Sequence, residues 1–294
     1  MVKMIGSKGQ KKEHKRPLIS IITPVYNGEK FIQKTLDSIS RQTYKNIEHI
    51  IVDGASTDKT IGICQEYERQ AVHKVVIISE PDNGQSDGIN KGFKKATGDI
   101  LTWLNSDDTY FDKFSLEKVV QSYSTNQESD VILGKALTRI IDQEGKQIHE
   151  FTHSPQEEIS MERLIRWWNQ DAIPPQPAIF WKKEVADNVG LLDLELHYVM
   201  DYDLWLRMAD SGFRFKVIDE YLAINTIHPE SKTGKDLKKF RIEAKKVARK
   251  YWGKFYELKY WRRYFQYLYM KYTKSRSTLL HNEVPDFWGG GEKR

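Results

Sequence analysis

The sequence has one cysteine, Cys64, in 294 residues, so no internal disulfide can staple the fold. Cys64 sits in an apolar helical pattern and reads as a small buried residue rather than a nucleophile. No run of about 18 apolar residues occurs, so no segment is suited to span a bilayer as a helix. Met1 to Arg16 is basic and polar with no apolar stretch behind it, unlike a secretory signal, and a cytoplasmic location is the expectation. A GxGxxG fingerprint and a Walker A loop are both absent, as are internal repeats.

What is present suits a globular protein. Hydrophobic residues make up 39% and aromatics 12% of the chain, enough for a sizeable core and too much for a disordered chain. The net charge of +5 is unevenly spread: Lys235–Arg276 holds 15 Lys/Arg against 3 Asp/Glu, a local +12 that leaves −7 on the rest. A mildly acidic body thus carries a strongly basic tail, and it is the tail that suits an anionic surface. Its run Tyr260–Tyr269 interleaves aromatics with Arg262 and Arg263, a composition fitted to the headgroup zone of a membrane. A helix packed back on the body with its basic face in water fits equally well, and nucleic acid is not expected. Residues 1–16 read as a flexible basic leader, 17–232 as the main domain and 233–294 as the helical tail. Within that tail, residues 236–252 form an amphipathic helix with Leu237, Phe240, Ala244, Val247 and Tyr251 on one stripe.

The first half alternates. Leu18–Thr23, Ile47–Val52, Val75–Ser79 and Ile100–Leu104 are short apolar runs that read as strands. Each is followed by a polar loop, and the first three by a helical pattern. Such alternation predicts a parallel sheet with right-handed crossovers, whose ligands bind beyond the carboxyl ends of the strands. All four strands end in loops rich in Asp, Asn, Ser, Thr and Gly, which should gather on one edge. The second half reads as strands Val131–Gly134, Ala136–Ile141, Gln147–Phe151, Ala178–Trp181, Arg214–Ile218 and Tyr221–Ile227. Helices are expected over Glu157–Trp168 and Asp201–Asp210, and an extended loop at Pro174-Pro175-Gln176-Pro177.

Asn105-Ser106-Asp107-Asp108 places two adjacent carboxylates at a strand end, where they repel each other unless a cation stands nearby. Hard oxygen donors favour Mg²⁺ or Mn²⁺, ions that also take phosphate oxygens; a helix cap is the competing reading. Asp53–Asp58 offers short acceptors for a base N–H or a ribose hydroxyl, or else an Asx-turn with a cap. Asp82–Asp87 opens the third helix with further acceptors.

Together with Thr23–Gly28 these loops carry a specific resemblance. Ile19-Ser20-Ile21-Ile22-Thr23-Pro24-Val25-Tyr26-Asn27, Val52–Thr60, Glu80–Gly92 and Gly98–Asp108 resemble, in order and spacing, four motifs of the family 2 glycosyltransferases, which have the GT-A fold. The resemblance implies an α/β domain: a Rossmann-like, mostly parallel sheet between helices, with residues 17–110 holding a nucleotide-sugar and 111–232 an acceptor. By the resemblance Thr23, Pro24, Tyr26 and Asn27 line the nucleotide pocket. Asp53 accepts from the base, uracil or thymine, with Ser56 and Asp58 nearby. Asp82, Gly84 and Asp87 flank the nucleotide and sugar. Asn105 takes the first position of the DXD-type metal motif, where Asp is commoner, followed by Ser106; Asp107, with Asp108, holds Mn²⁺ or Mg²⁺ on the diphosphate. His228 resembles the family's late histidine, which completes the metal shell.

On the acceptor side, Met200-Asp201-Tyr202-Asp203 resembles the family's Glu-Asp motif, with Met in place of Glu. Asp201 is then the catalytic base, and Asp203 its competitor. Gln176 and Ala178 resemble an acceptor-facing loop, and Trp205 is expected in the acceptor floor or the core. The expected function is inverting transfer of a sugar from a nucleoside diphosphate, leaning to UDP, to a hydroxyl on a glycan or lipid-linked acceptor of the bacterial cell surface. A sugar nucleotidyltransferase would want a Gly-rich loop after the first strand, which Pro24–Gly28 does not supply. A processive synthase would want Gln in place of Arg163, three residues before Arg166-Trp167, and membrane spans. An inactive nucleotide-sugar-binding module stays open through Asn105 and Met200.

Overall fold

The structure is a computed structural model that describes residues 16–155, 159–167, 173–232 and 236–252. The expected leader before Arg16 and the aromatic tail beyond Trp252 lie outside these residues. Three βα cycles come first: β1 (Ile19–Val25), α1 (Ile32–Ser40), β2 (Ile47–Asp53), α2 (Thr60–Gln70), β3 (Lys74–Ser79) and α3 (Gln85–Lys95). After β4 (Ile100–Trp103) come β5 (Thr109–Tyr110), α4 (Ser115–Thr125), β6 (Val131–Ile141), β7 (Gln147–His153), α5 (Met161–Leu164), β8 (Ile179–Lys182) and α6 (Lys183–Val189). The described chain ends with α7 (Met200–Asp210), β9 (Phe215–Ile227) and α8 (Leu237–Trp252).

Among the described residues the strands make one sheet in the order β3-β2-β1-β4-β8-β6-β9-β5, with β7 beside the distal half of β6. β3, β2, β1 and β4 are all parallel, as the alternation predicts. Beyond β4 the sheet is mixed: β8 runs antiparallel to β4 and β6, while β6 and β9 are parallel. All seven residues of β1 and of β2 are buried, because helices cover both faces, and such strands read as continuous apolar runs. One core layer joins Ile22, Ile50 and Val52 to Trp103, Trp181 and Trp205. The opposite layer joins Ile19 and Ile21 to Leu116, Val119 and Phe180.

Four expected strands of the second half merge into two. Val131–Gly134 and Ala136–Ile141 are one strand, β6, with a register irregularity against β9 between Leu133 and Ala136. A glycine reads as a break, but Gly134 sits where a Cβ would lie 2.6 Å from the Glu220 carbonyl oxygen. It permits a close strand approach at a bulge rather than ending the strand. Arg214–Ile218 and Tyr221–Ile227 likewise form the single β9. The long helix expected over 157–168 contains, among the described residues, only the one-turn α5. Ala178 belongs to a 3₁₀ turn, Gln176–Ala178, ahead of β8. α8 is docked as its stripe predicts, with Ala244, Val247, Ala248 and Tyr251 buried and Phe240 packed against the same core. Cys64 is fully buried and burial pushes its thiol up to about 12, which suits a core residue.

A buried polar chain ties β1 to α2. His49 stands between the Thr23 hydroxyl and the Tyr67 hydroxyl, each 2.9 Å away, and Tyr67 meets His73 at 2.8 Å. Burial, with His73 adding to it, pushes His49 down to about 3, and burial pushes His73 down to about 4. Both are neutral when folded but take protons near 6.5 when unfolded. Their contribution is therefore complete above about pH 6.5 and is lost as pH falls toward the folded values. His49 alone should cost about 2 kcal/mol of stability between pH 7 and pH 5. Urea unfolding of the wild type and of His49→Gln at the two pH values checks this: the change in stability between pH 7 and pH 5 should differ by about that much between the two proteins, and an identical change in both would refute it.

Candidate active site

The carboxyl ends of β1, β2, β3 and β4 converge as the topology requires, and they are laced together before any ligand is considered. The first loop meets the second: the Asn27 N–H donates to the Ser56 hydroxyl (2.8 Å), and the Asn27 side-chain oxygen accepts from the Thr57 N–H (2.9 Å). Asn27 has a φ of 49°, a conformation that Asn tolerates better than most residues. Asp58 accepts from the Glu29 N–H (3.1 Å) and the Thr60 N–H (3.0 Å). The second loop meets the third through Asp82. Its carboxylate lies over Gly54, where a Cβ would sit 2.8 Å from it, and accepts from the Gly84 N–H at 2.8 Å. The third meets the fourth where Gln85 donates to the Asn105 side chain (2.8 Å). Asn105 in turn reaches Gln176 (3.1 Å), whose amide donates to the Trp103 carbonyl (2.8 Å).

These contacts frame a cavity of about 660 Å³, within the range of small-molecule sites. Of the residues singled out in the sequence, its wall includes Pro24, Tyr26, Asn27, Asp58, Asp82, Gly84, Asn105, Ser106, Asp107, Asp108, Gln176, Asp201 and His228. Tyr26 projects at its edge, 65% exposed. Six others stand behind the wall. Thr23 is buried against His49. Asp53 is buried, accepting from the Ser79 hydroxyl at 2.7 Å and the Ser56 N–H at 3.1 Å. Ser56 is committed to the Asn27 N–H, and Asp87 accepts from the Asn83 N–H at 3.0 Å. Ala178 is buried, and Trp205 is stacked on Trp103 with centroids 5.7 Å apart, inside the core.

The two adjacent carboxylates part ways. Asp108 is 1% exposed and accepts from the Thr226 N–H (2.9 Å) and the Asn105 amide (3.1 Å). Burial, then the neighbouring Asp107 charge, pushes its carboxyl well above the ordinary range. Asp107 instead meets the His228 imidazole at 3.0 Å, and His228 is stacked on Phe31 with centroids 4.3 Å apart. Among the described residues no three His, Cys, Asp or Glu side chains cluster as a complete metal cage. One carboxylate and one imidazole on a cavity wall fit an ion that draws its other ligands from phosphate and water.

The other pair parts too. Asp203 is buried away from the cavity, paired with Arg207 (2.8 Å) and Lys250 (3.4 Å). Asp201 lines the cavity in the first turn of α7, its carboxylate accepting from the Tyr202 N–H at 2.8 Å. Burial pushes Asp201 up to about 6, against the lowering effect of that hydrogen bond and of the Lys232 charge. Gln85, Lys232, Tyr198, Phe240 and Phe31 also line the cavity and were given no role in the sequence. Gln85 stands inside the Glu80–Gly92 motif and was legible there; Lys232 lies four residues after His228, and Phe31 and Phe240 look like ordinary core residues of helices.

This architecture, a mostly parallel sheet with a second mixed half closing over its carboxyl edge, is the GT-A type. A TM-score of 0.57 to the crystal structure of S. aureus TarS 1-349 in complex with UDP, at 22% identity over 79% of this chain and 64% of that one, agrees. So does one of 0.54 to the mannosyltransferase PcManGT from Pyrobaculum calidifontis in complex with GDP-Man and Mn²⁺, at 19% identity over 72% and 57%. The sequence profile of glycosyl transferase family 2 matches residues 20–187, more than half of the chain, and the protein belongs to that family. It is 32% identical over 210 residues to an uncharacterized glycosyltransferase of Rickettsia typhi, covering 69% of this chain and 63% of the relative. It is 33% identical over 123 residues to a PGL/p-HBAD biosynthesis glycosyltransferase of Mycobacterium bovis, covering 42% and 48%. The chain thus spans less than two thirds of these relatives' length. No helix among the described residues is long and apolar enough to cross a membrane.

Proposed function

We infer that the protein transfers a sugar from a nucleoside diphosphate, UDP by preference, to a hydroxyl acceptor with inversion at the anomeric carbon. The observation that carries this reading is the shared cavity, in which Asp82, Asn105 and Asp107 from the parallel half face Asp201 and His228 from the mixed half. Residues 17–110 hold the donor, with Pro24, Tyr26, Asn27, Asp58, Asp82 and Gly84 around the nucleotide and sugar. Thr23, Asp53, Ser56 and Asp87 shape that pocket from behind; Asp53, fully buried, would reach a base N–H only if the residues in front of it moved aside. Residues 111–232 take the acceptor against Gln176, with Ala178 and Trp205 supporting that wall.

Asp107, with His228, would hold Mn²⁺ or Mg²⁺. The ion, when bound, neutralises the diphosphate as it leaves. Asp108 holds the loop by its bonds to Thr226 and Asn105. Asp201 accepts the proton of the attacking hydroxyl, and a carboxylate raised toward neutrality is a better base than an ordinary one. The acceptor is a glycan or lipid-linked hydroxyl compound, and the basic tail adds an affinity for anionic membrane at the cytoplasmic face.

The test is a thermal-shift screen of UDP, GDP, UDP-GlcNAc and GDP-mannose with and without Mn²⁺. A donor at about 100 times its Kd should stabilise the fold by about 2.7 kcal/mol, most strongly with the ion present. No shift with any nucleotide would overturn the reading.

A further inference from the structure

We propose that α8 is part of the catalytic apparatus, with Glu243 as a positioning residue that sets Asp201 through the segment leading into α7; the idea rests on the role of Asp201 inferred above. The entrance to α7 has one side-chain tie of its own, from the Tyr202 N–H to the Asp201 carboxylate (2.8 Å), which involves the base itself. The N-cap, Val199, offers no side-chain acceptor, and an uncapped helix start leaves backbone N–H groups to be satisfied from elsewhere. Just upstream the lock is tertiary. The Glu243 carboxylate accepts from the His197 N–H (3.1 and 3.2 Å to its two oxygens) and from the Tyr198 N–H (2.8 Å). Two backbone donors on one carboxylate make charge-assisted bonds, stronger and more directional than neutral ones.

The brace stands three residues before Asp201, on the loop that itself lines the cavity through His197 and Tyr198. Lys232 completes it, donating to the His197 carbonyl at 3.3 Å from its own place on the cavity wall. A second tie lies further along: Lys250 of α8 reaches Asp203 of α7 at 3.4 Å. One turn before Glu243, Phe240 of α8 enters the cavity wall. A helix needed only to cover the core would bury its apolar stripe and leave its acidic side chain in water. Glu243 is instead spent on the backbone beside the base. The family profile ends at residue 187, so this brace is built by the part of the chain beyond it.

The experiment uses the full chain carrying Glu243→Ala, Glu243→Gln or Asp201→Asn. Hydrogen exchange of peptides covering residues 196–206 should quicken at least tenfold in Glu243→Ala, with β2 unchanged. Release of UDP from UDP-GlcNAc, or of GDP from GDP-mannose if that is the donor the wild type binds, should fall at least tenfold in kcat with the donor KM within about twofold. Glu243→Gln keeps one acceptor oxygen for the N–H groups and should restore most of the rate. Unchanged exchange over 196–206 overturns the brace whatever the donor. So does a kcat within twofold of wild type in Glu243→Ala beside an inactive Asp201→Asn, or a kcat loss matched by an equal loss of donor binding. An active Asp201→Asn variant instead removes the inference about the base on which this one stands.

Discussion

Asp201→Asn should abolish transfer while leaving donor binding intact, and it should make the protein more stable. A positioned general base is worth about 10²- to 10⁴-fold in rate, and asparagine cannot accept the proton. The stability gain follows from the same burial that would suit the residue to act as a base. Asp201 is pushed up to about 6, chiefly by desolvation, so the folded state holds its proton more tightly than the unfolded one. Stability is therefore greatest below the unfolded value near 3.8 and declines as pH rises through about 6. At neutral pH the ionised group costs on the order of 2–3 kcal/mol, which the neutral amide avoids. Unfolding midpoints and UDP affinities of the two proteins at pH 7.5 measure both halves. The wild-type rate should also fall about tenfold per unit as pH drops below 6, because the base must be unprotonated to act. Near-normal transfer by the variant, or a flat wild-type profile between pH 5 and 7, would remove Asp201 from this role. Asp203 would not then inherit it, since its carboxylate is held by Arg207 and Lys250 outside the cavity.

That separation of Asp201 from Asp203 was beyond reach of the sequence alone. Both stand in the first turn of one helix, two positions apart, and periodicity cannot say which faces a ligand until the partner surfaces are known. Asp203 pairs with Arg207 one turn on and also with Lys250 of α8, 47 residues downstream, a contact no local pattern shows. The parallel half was legible because β1, β2 and β4 are buried on both faces and each loop sits at a strand's carboxyl end, so local pattern and global position coincide. The mixed half was less so. Gly134 reads as a break but marks a close approach between β6 and β9 that only their pairing reveals. Asp107 and Asp108 also look equivalent in sequence. Thr226, 118 residues from Asp108, turns that carboxylate inward, while His228 meets Asp107. Long-range contacts separate the candidates that the motifs supply.

The second large effect concerns Asp107. Asp107→Ala should erase the dependence of UDP affinity on Mn²⁺ while the fold, judged by its unfolding midpoint without nucleotide, changes little. The asymmetry between the two carboxylates carries the argument. Asp108 is buried with two hydrogen bonds, so truncating it strands the Thr226 N–H and the Asn105 amide and should cost stability, about 1–3 kcal/mol. Asp107 is partly exposed, with a side-chain exposure of 25%, and its carboxylate meets His228 at 3.0 Å. Losing it should cost the fold little and, in the proposed site, would take from the ion one of its two protein ligands. Even outer-shell partners of a metal are worth about 10- to 100-fold in affinity, so a direct ligand should be worth no less. His228→Ala tests the other ligand and should weaken Mn²⁺-dependent binding in the same direction, with the added loss of the stack on Phe31. Isothermal titration of UDP into each variant, with Mn²⁺ and with EDTA, separates the cases. If Asp107→Ala keeps the full Mn²⁺ enhancement, the acidic pair at the end of β4 is a structural turn, and the charge of the diphosphate must be met by the protein's own cations, of which Lys232 already lines the cavity.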